Sequence, residues 1–275
     1  MPELPEVETV MRALDSHLTG GKISHATLRR GDIRWPVPPD LPARLKGAKV
    51  LGFRRRGKFI LMRLDNGWSM LVHLGMSGRM LLDKPEAAHE HLTVEMTDGQ
   101  RMGFVDPRRF GMLDMVKTNE EDQHRLLVDM GPEPLGNQFS GPVLAAACKG
   151  KTAPIKTVLL DQHVVAGIGN IYASEALFRA GILPTRAAGK ISAPRLEKLA
   201  EAVRVTLQEA IKAGGSSLRD YVQPSGELGY FQQAWKVYGR AGQNCEHCPG
   251  LPACQGIRQI TQSGRSTFYC PKTQR

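Results

Sequence analysis

Two places in this 275-residue chain combine residue types and spacing that can do chemistry. The first is the amino terminus, Met1-Pro2-Glu3-Leu4-Pro5-Glu6. Removal of Met1, which a small second residue permits, leaves Pro2 with a free secondary amine. An α-amino group has a pKa of about 8, against about 10.4 for lysine, so far more of it is unprotonated near neutrality. Such an amine attacks an aldehyde-like carbon and gives an iminium ion, an electron sink that labilises neighbouring bonds. Glu3 stands beside it for proton transfer. Taken alone, Met-Pro-Glu is also an ordinary chain start. The second place is the carboxyl terminus, where Cys245, Cys248, Cys254 and Cys270 cluster. Five cysteines in the whole chain are too few for a disulfide scaffold, so this clustering points to a local metal site.

These residues need elements to hold them. Residues 5–18 read as a helix: Pro5 suits its first turn, Glu6 and Glu8 its positive end, and Val7, Val10, Met11, Leu14 and Leu18 form a stripe. From about 22 to 116 short β runs alternate with turns. Asp65-Asn66-Gly67 separates 58–64 from 68–74, and Asp98-Gly99 separates 91–96 from 101–105. Serial hairpins of this kind imply an antiparallel sandwich or barrel. Lys117 to Asp122, then Gly131-Pro132-Glu133-Pro134, read as a linker. Beyond it the pattern is helical. Leu196, Leu199, Val203, Leu207, Ala210 and Ile211 share a face, Ser192 caps its start and Gly214-Gly215 ends it. The segment from Gly239 on is too short for its own core and calls for a metal. Cys148, in an alanine-rich run, reads as a buried small hydrophobe.

Charge names a class of partner. Lys and Arg number 37 and Asp and Glu 27, a net of +10. Residues 44–63 hold Arg44, Lys46, Lys49, Arg54, Arg55, Arg56, Lys58 and Arg63 with no acidic residue. A surface built this way attracts nucleic-acid phosphates with strong salt dependence, although lysines on an edge strand also block aggregation. With 41% hydrophobic residues the chain is not disordered. No apolar stretch approaches the length of a membrane span and no secretory signal opens the chain, so the expectation is a soluble cytoplasmic protein without membrane contact.

At this point the motifs resemble a known family. Pro2-Glu3-Leu4-Pro5-Glu6-Val7-Glu8-Thr9 is similar to the opening of the formamidopyrimidine-DNA glycosylases. Arg56-Gly57-Lys58, His73-Leu74-Gly75-Met76-Ser77-Gly78, Asp106-Pro107-Arg108-Arg109-Phe110-Gly111, Gly167-Ile168-Gly169-Asn170-Ile171-Tyr172 and Gly264-Arg265-Ser266-Thr267-Phe268-Tyr269-Cys270 follow in the family's order.

The resemblance implies a bifunctional base-excision-repair enzyme for double-stranded DNA. It would remove 8-oxoguanine and formamidopyrimidines, then cut the backbone at the abasic (AP) site, acting as a monomer near the nucleoid. Pro2 would attack C1′, Glu3 would serve as acid and base, Lys58 would assist β-elimination, and Arg265 would bind phosphate and assist δ-elimination. Met76, Arg108 and Phe110 match a trio that fills the gap left by an extruded base. His91, Arg109 and Lys151 match DNA-contacting positions. Gly167-Ile168-Gly169-Asn170 matches the turn of a helix–two-turn–helix, where backbone N–H groups and Asn170 can meet a phosphate. Residues 216–231 resemble a loop that closes over the flipped base.

One departure concerns the metal. The family's finger has two Cys-x2-Cys pairs, and Thr273 stands where the fourth cysteine belongs. A neutral hydroxyl is a poor zinc ligand. The expectation is one structural zinc ion held by Cys245, Cys248, Cys254 and Cys270, with His247 a weaker substitute.

The expected fold is α+β: an N-terminal antiparallel β-sandwich with a leading helix (1–130), a helical helix–two-turn–helix domain (131–239) and a zinc-finger β-hairpin (240–275). DNA would lie between the lobes. Two rival functions are an endonuclease VIII-like glycosylase for oxidised pyrimidines and a non-catalytic binder of damaged DNA.

Overall fold

A computed structural model describes residues 1–216, 224, 229–249 and 251–275, and the chain divides into two units. The first comprises Met1–Asp129 with Ile211–Gln232, the second Met130–Ala210 with Gln233–Arg275. Most of the loop matched to lesion closure, residues 217–223 and 225–228, lies outside the described residues.

The first unit opens with α1 (Leu4–Leu18), where Glu3 is the N-cap and the Glu6 carboxylate accepts the Glu3 N–H at 2.8 Å in a capping box. Val7, Val10, Leu14 and Leu18 of its stripe are buried, each worth about 1.5–3 kcal/mol relative to exposure. Then follow β1 (Ile23–Leu28), α2 (Leu41–Leu45), β2 (Val50–Arg56), β3 (Phe59–Leu64), β4 (Trp68–His73), β5 (Arg79–Leu82), β6 (Glu90–Met96), β7 (Arg101–Val105) and β8 (Met112–Lys117). The strands form two four-stranded sheets, ordered β1-β6-β7-β5 and β2-β3-β4-β8, with antiparallel pairing throughout. Inward residues of both sheets, among them Ile60, Met62, Val72, Leu92, Val94 and Phe104, make one core with α1, so this half is a sandwich.

Residues 118–123 do not form a linker. They make a turn of 3-10 helix that drops Glu121 into a buried position, 2% exposed, against the β2-β3-β4-β8 sheet. Its carboxylate accepts from Arg54 (2.9 Å), from both arms of Arg63 (2.9 and 2.6 Å) and from Ser69 Oγ (2.7 Å). Burial alone would raise its pKa, but the hydrogen bonds from Arg63, Ser69 and Arg54 outweigh it and hold the group at about 2.

The second unit carries α3 (Gly141–Cys148), α4 (Ile155–Leu160), α5 (Asn170–Ala180) and α6 (Ala193–Lys212), whose last two residues fall in the first unit, and a hairpin of β9 (Arg258–Gln262) and β10 (Arg265–Tyr269). Leu196, Leu199, Val203, Leu207 and Ala210 of the predicted α6 face are buried. Cys148 is buried at the end of α3, and that burial pushes its thiol pKa up. The terminal hairpin does not stand on metal alone. Ile257 and Phe268 pack with Val237 and with Phe178 of α5 in one small core. Among the described residues no helix is long and apolar enough to cross a membrane.

Candidate active site and nucleic-acid interface

In the first unit, Pro2 and Glu3 sit buried at the positive end of α1, with Met1 exposed ahead of them. The Glu6 carboxylate holds this start from both sides. One oxygen takes the Glu3 N–H and the other the Ser216 N–H at 2.8 Å. Lys58 is the second residue of the two-residue turn between β2 and β3 and is 8% exposed.

His73, at the end of β4, is a functional candidate that the sequence reading quoted in a motif without assigning it a role. Its Nδ1 accepts the Gly75 N–H at 3.0 Å, so the ring proton belongs on Nε2. Burial, then the charges of Lys58 and Arg34, push its pKa down to about 4. It is therefore a neutral donor beside Lys58 at physiological pH. The available signal was a histidine closing a strand immediately before a glycine loop.

Met76, Arg108 and Phe110 come together on two loops. Met76 and Phe110 are 38% and 42% exposed, and the Arg108 guanidinium lies 5.0 Å from the Phe110 ring centre. The residues between do not extend as a strand, because Arg109 adopts φ +58°. The fully buried Asp106 organises the second loop through the Gly111 N–H (2.6 Å), and Arg108 N–H reaches Ser77 Oγ on the first (3.2 Å). The loops touch so closely that a Cβ on Gly75 would meet the Phe110 carbonyl carbon at 2.3 Å. Arg109 is exposed. His91 is buried, with Nε2 2.8 Å from the Asp106 carbonyl.

The basic run 44–63 is less available than its composition suggests. Arg44 pairs with Asp40, Arg54 with Glu121 and Asp122, Arg55 with Glu8 and Arg63 with Glu121. Arg44, Arg54, Arg55 and Arg63 are thus matched within the fold, so the run is not one open phosphate-attracting surface.

In the second unit, Gly167 at φ +83° and Gly169 as N-cap lead into α5 at Asn170. The Asn170 side chain is engaged inside the unit. Its Oδ1 accepts from Lys156 Nζ at 2.6 Å and its Nδ2 donates to the Ser266 carbonyl at 2.9 Å. Lys156, 1% exposed, also donates to Thr267 Oγ1 at 2.7 Å. Asn170 and the hairpin strand bearing Arg265 are thereby one construction. Arg265 follows the Ser263-Gly264 turn, faces Gln262 across the hairpin and is exposed, and among the described residues no carboxylate forms a salt bridge with it. Lys151 is exposed in the loop after α3. Glu175 of α5 accepts the backbone N–H groups of Lys236, Val237 and Tyr238 at 2.8–3.0 Å and so fixes the approach to the hairpin.

Known proteins match this arrangement over its whole length. Residues 1–113 match the formamidopyrimidine-DNA glycosylase N-terminal domain and residues 130–222 the formamidopyrimidine-DNA glycosylase H2TH domain. A formamidopyrimidine-DNA glycosylase of Acidiphilium cryptum is 61% identical, with all of both chains covered. The chain belongs to the formamidopyrimidine-DNA glycosylase family. Among solved structures, a variant of the Lactococcus lactis enzyme in complex with Fapy-dG-containing DNA superposes with a TM-score of 0.90 at 34% identity, covering both chains fully. The same enzyme bound to abasic-site DNA gives 0.90 at 32% identity over 99% of each chain. As a member of this family the chain is a DNA glycosylase with AP-lyase activity that acts in base excision repair.

Glycosylases of this family are expected to carry a zinc finger, and the donor set here fits one. The sulfurs of Cys245, Cys248 and Cys270 all lie within 4.8 Å of one another and could hold a metal ion. Zinc–sulfur bonds of about 2.3 Å put tetrahedral thiolates about 3.8 Å apart, and Cys248 and Cys270 are separated by 3.9 Å. Cys254, expected as the fourth ligand, is not among the sulfurs that lie within 4.8 Å of one another, so it approaches the cluster from one side only. Cys254 Sγ lies 3.1 Å from Cys248 Sγ, while Thr273 Oγ1 lies 3.4 Å from Cys245 Sγ and 3.3 Å from Cys270 Sγ. His247 turns elsewhere, stacking on Phe178 with ring centres 5.3 Å apart.

Proposed function

We propose that the chain excises oxidised purines, 8-oxoguanine and formamidopyrimidines, from double-stranded DNA and cleaves the resulting AP site by β,δ-elimination. The observation that carries this reading is the buried Pro2–Glu3 start at the head of α1, clamped by Glu6. Met1, 56% exposed, is accessible to the peptidase that must remove it.

The freed Pro2 nitrogen attacks C1′ of the damaged nucleotide. The C1′–N bond breaks and the base leaves with its electron pair. Glu3 delivers a proton to the sugar ring oxygen as the ring opens to an iminium ion. Loss of a C2′ proton then expels the 3′ phosphate, assisted by Lys58, and a second elimination expels the 5′ phosphate, with Arg265 on that phosphate. Neutral His73 donates from Nε2 to a phosphate oxygen near Lys58. Met76, Arg108 and Phe110 occupy the space of the extruded base, and an apolar pair with a guanidinium suits both the stack and the orphaned partner. His91, Arg109, Lys151 and Asn170 support the DNA, Asn170 through the α5 turn that it anchors.

Zinc is held by Cys245, Cys248, Cys254 and Cys270. Thiolates outrank a threonine hydroxyl, and Thr273 in this arrangement donates its O–H to ligand sulfur. Bound there, the metal supplies a cross-link that keeps the β9–β10 hairpin and Arg265 in place. The protein acts as a cytoplasmic monomer, with functional parts at 1–130, 131–239 and 240–275.

The test is borohydride trapping with the mature protein on duplexes containing 8-oxoguanine opposite C or thymine glycol opposite A. A covalent adduct on the first is expected. Adduct on the second alone would move the reading to oxidised pyrimidines, and no adduct on either would leave a damage-binding protein.

A further inference from the structure

The β2–β3 hairpin turns on Gly57 and Lys58, between the paired residues Arg56 and Phe59. Gly57 has φ +55°, a geometry that glycine adopts without strain. The orientation of Lys58 therefore depends on the peptide that joins it to Gly57, and the carbonyl of that peptide has a dedicated partner. Arg55 Nη1 donates to the Gly57 carbonyl at 3.0 Å, while Arg55 Nε donates to Glu8 Oε2 at 2.7 Å. Glu8 lies on α1, in the turn after the one that Glu3 caps, and its other oxygen accepts from Arg12 Nε at 2.8 Å. The Arg55 and Glu8 side chains are only 9% and 12% exposed.

Strand alternation separates this arginine from its neighbours. Arg54 turns to Glu121, on the side opposite Arg55. Arg55 reaches both the helix bearing Pro2 and the turn bearing Lys58. A guanidinium suits the task because its rigid fork can serve two acceptors at fixed directions, which the single point of a lysine ammonium does not reproduce.

We propose that Arg55, held by Glu8, is a positioning residue for Lys58: it fixes the Gly57–Lys58 peptide and sets Lys58 in register with the helix that starts at Pro2. The proposal rests on the reading of Lys58 as the group that assists β-elimination.

The test uses the full-length mature protein on AP-site duplex under single turnover, with three readouts: strand cleavage, borohydride-trapped adduct and DNA affinity. Arg55→Lys keeps the charge and loses the second arm. Cleavage by this variant is expected to fall about tenfold, the scale of a small misplacement of a reacting group. Trapping and affinity should stay within about twofold of wild type, since neither depends on Lys58 alignment. Glu8→Gln should shift the same ratio in the same direction, and Arg55→Lys/Glu8→Gln should be no worse than Arg55→Lys, as members of one unit are non-additive. Wild-type cleavage by Arg55→Lys overturns the proposal, as does a parallel fall of all three readouts with thermal stability. Should Arg55→Lys fail to fold, Glu8→Gln decides by the same ratio. Wild-type protein that neither traps nor cleaves would refute the glycosylase reading instead.

Discussion

Ser77 Oγ donates to Asp106 Oδ1 at 2.6 Å, joining the loop that carries Met76 to the loop that carries Arg108 and Phe110. Both partners are buried, Asp106 completely. Ser77→Ala would leave one oxygen of a fully buried carboxylate without this donor, at a cost of about 1–3 kcal/mol. Urea unfolding should show that loss. Excision of 8-oxoguanine should fall further than the stability change explains, because the two loops lose their shared anchor. A variant of unchanged stability would show that the bond contributes nothing.

Phe110→Ala and Met76→Ala should behave in the opposite way. Their exposure predicts unfolding free energies within about 0.5 kcal/mol of wild type. Single-turnover excision of 8-oxoguanine should slow at least about tenfold if each contributes on the order of 1.4 kcal/mol to holding the base out. Cleavage of an AP site, which has no base to extrude, should change less. Equal losses on both substrates would rule out a wedge role.

Glu121 supplies a pH dependence with a definite sign. Its folded-state pKa is about 2, against 4.5 for the ordinary carboxyl, so the folded state binds this proton less readily than the unfolded chain does. The stabilisation is complete above pH 4.5 and disappears as pH falls towards 2. Glu121→Gln should therefore be less stable than wild type at pH 7, and the gap should close on acidification through that window. Denaturation of both proteins across this pH series checks it, and a constant gap would remove the arginine pairing as its cause.

At the metal site, Cys254→Ala should lower the zinc content of purified protein and Thr273→Ala should leave it near one per chain, as a thiolate is the far better ligand. Chelation should speed backbone hydrogen exchange in β9 and β10 while sparing α1, since only the hairpin depends on the metal. Loss of zinc in Thr273→Ala with retention in Cys254→Ala would assign the fourth corner to threonine.

What the sequence disclosed follows the range of the interaction involved. The α1 stripe, the 65–67 and 98–99 turns and the α6 face are repeated local patterns, and all appear as elements. The Met76, Arg108 and Phe110 trio was readable as a motif, although only the structure shows that Met76 and Phe110 are exposed rather than in the core. Pairings across distant sequence left no local trace. Arg54 meets Glu121 across 67 positions and Arg55 meets Glu8 across 47. A run of positive residues therefore looked like one open surface, and an acidic stretch that neutralises part of it looked like a linker. The tie between Asn170 and Ser266 left no local trace either, since the two lie 96 positions apart.

The two-residue turn at Gly57 and Lys58 has a kinetic corollary. Both flanking residues are already ladder partners, so the backbone under Lys58 has no slack to give. Whatever travel the amine needs as the 3′ phosphate departs must come from rotation about its own methylene chain. Lys58 is only 8% exposed, so the packing around that chain limits those rotations. A lysine on this mount works from a fixed origin, and its reach is the length of its own side chain.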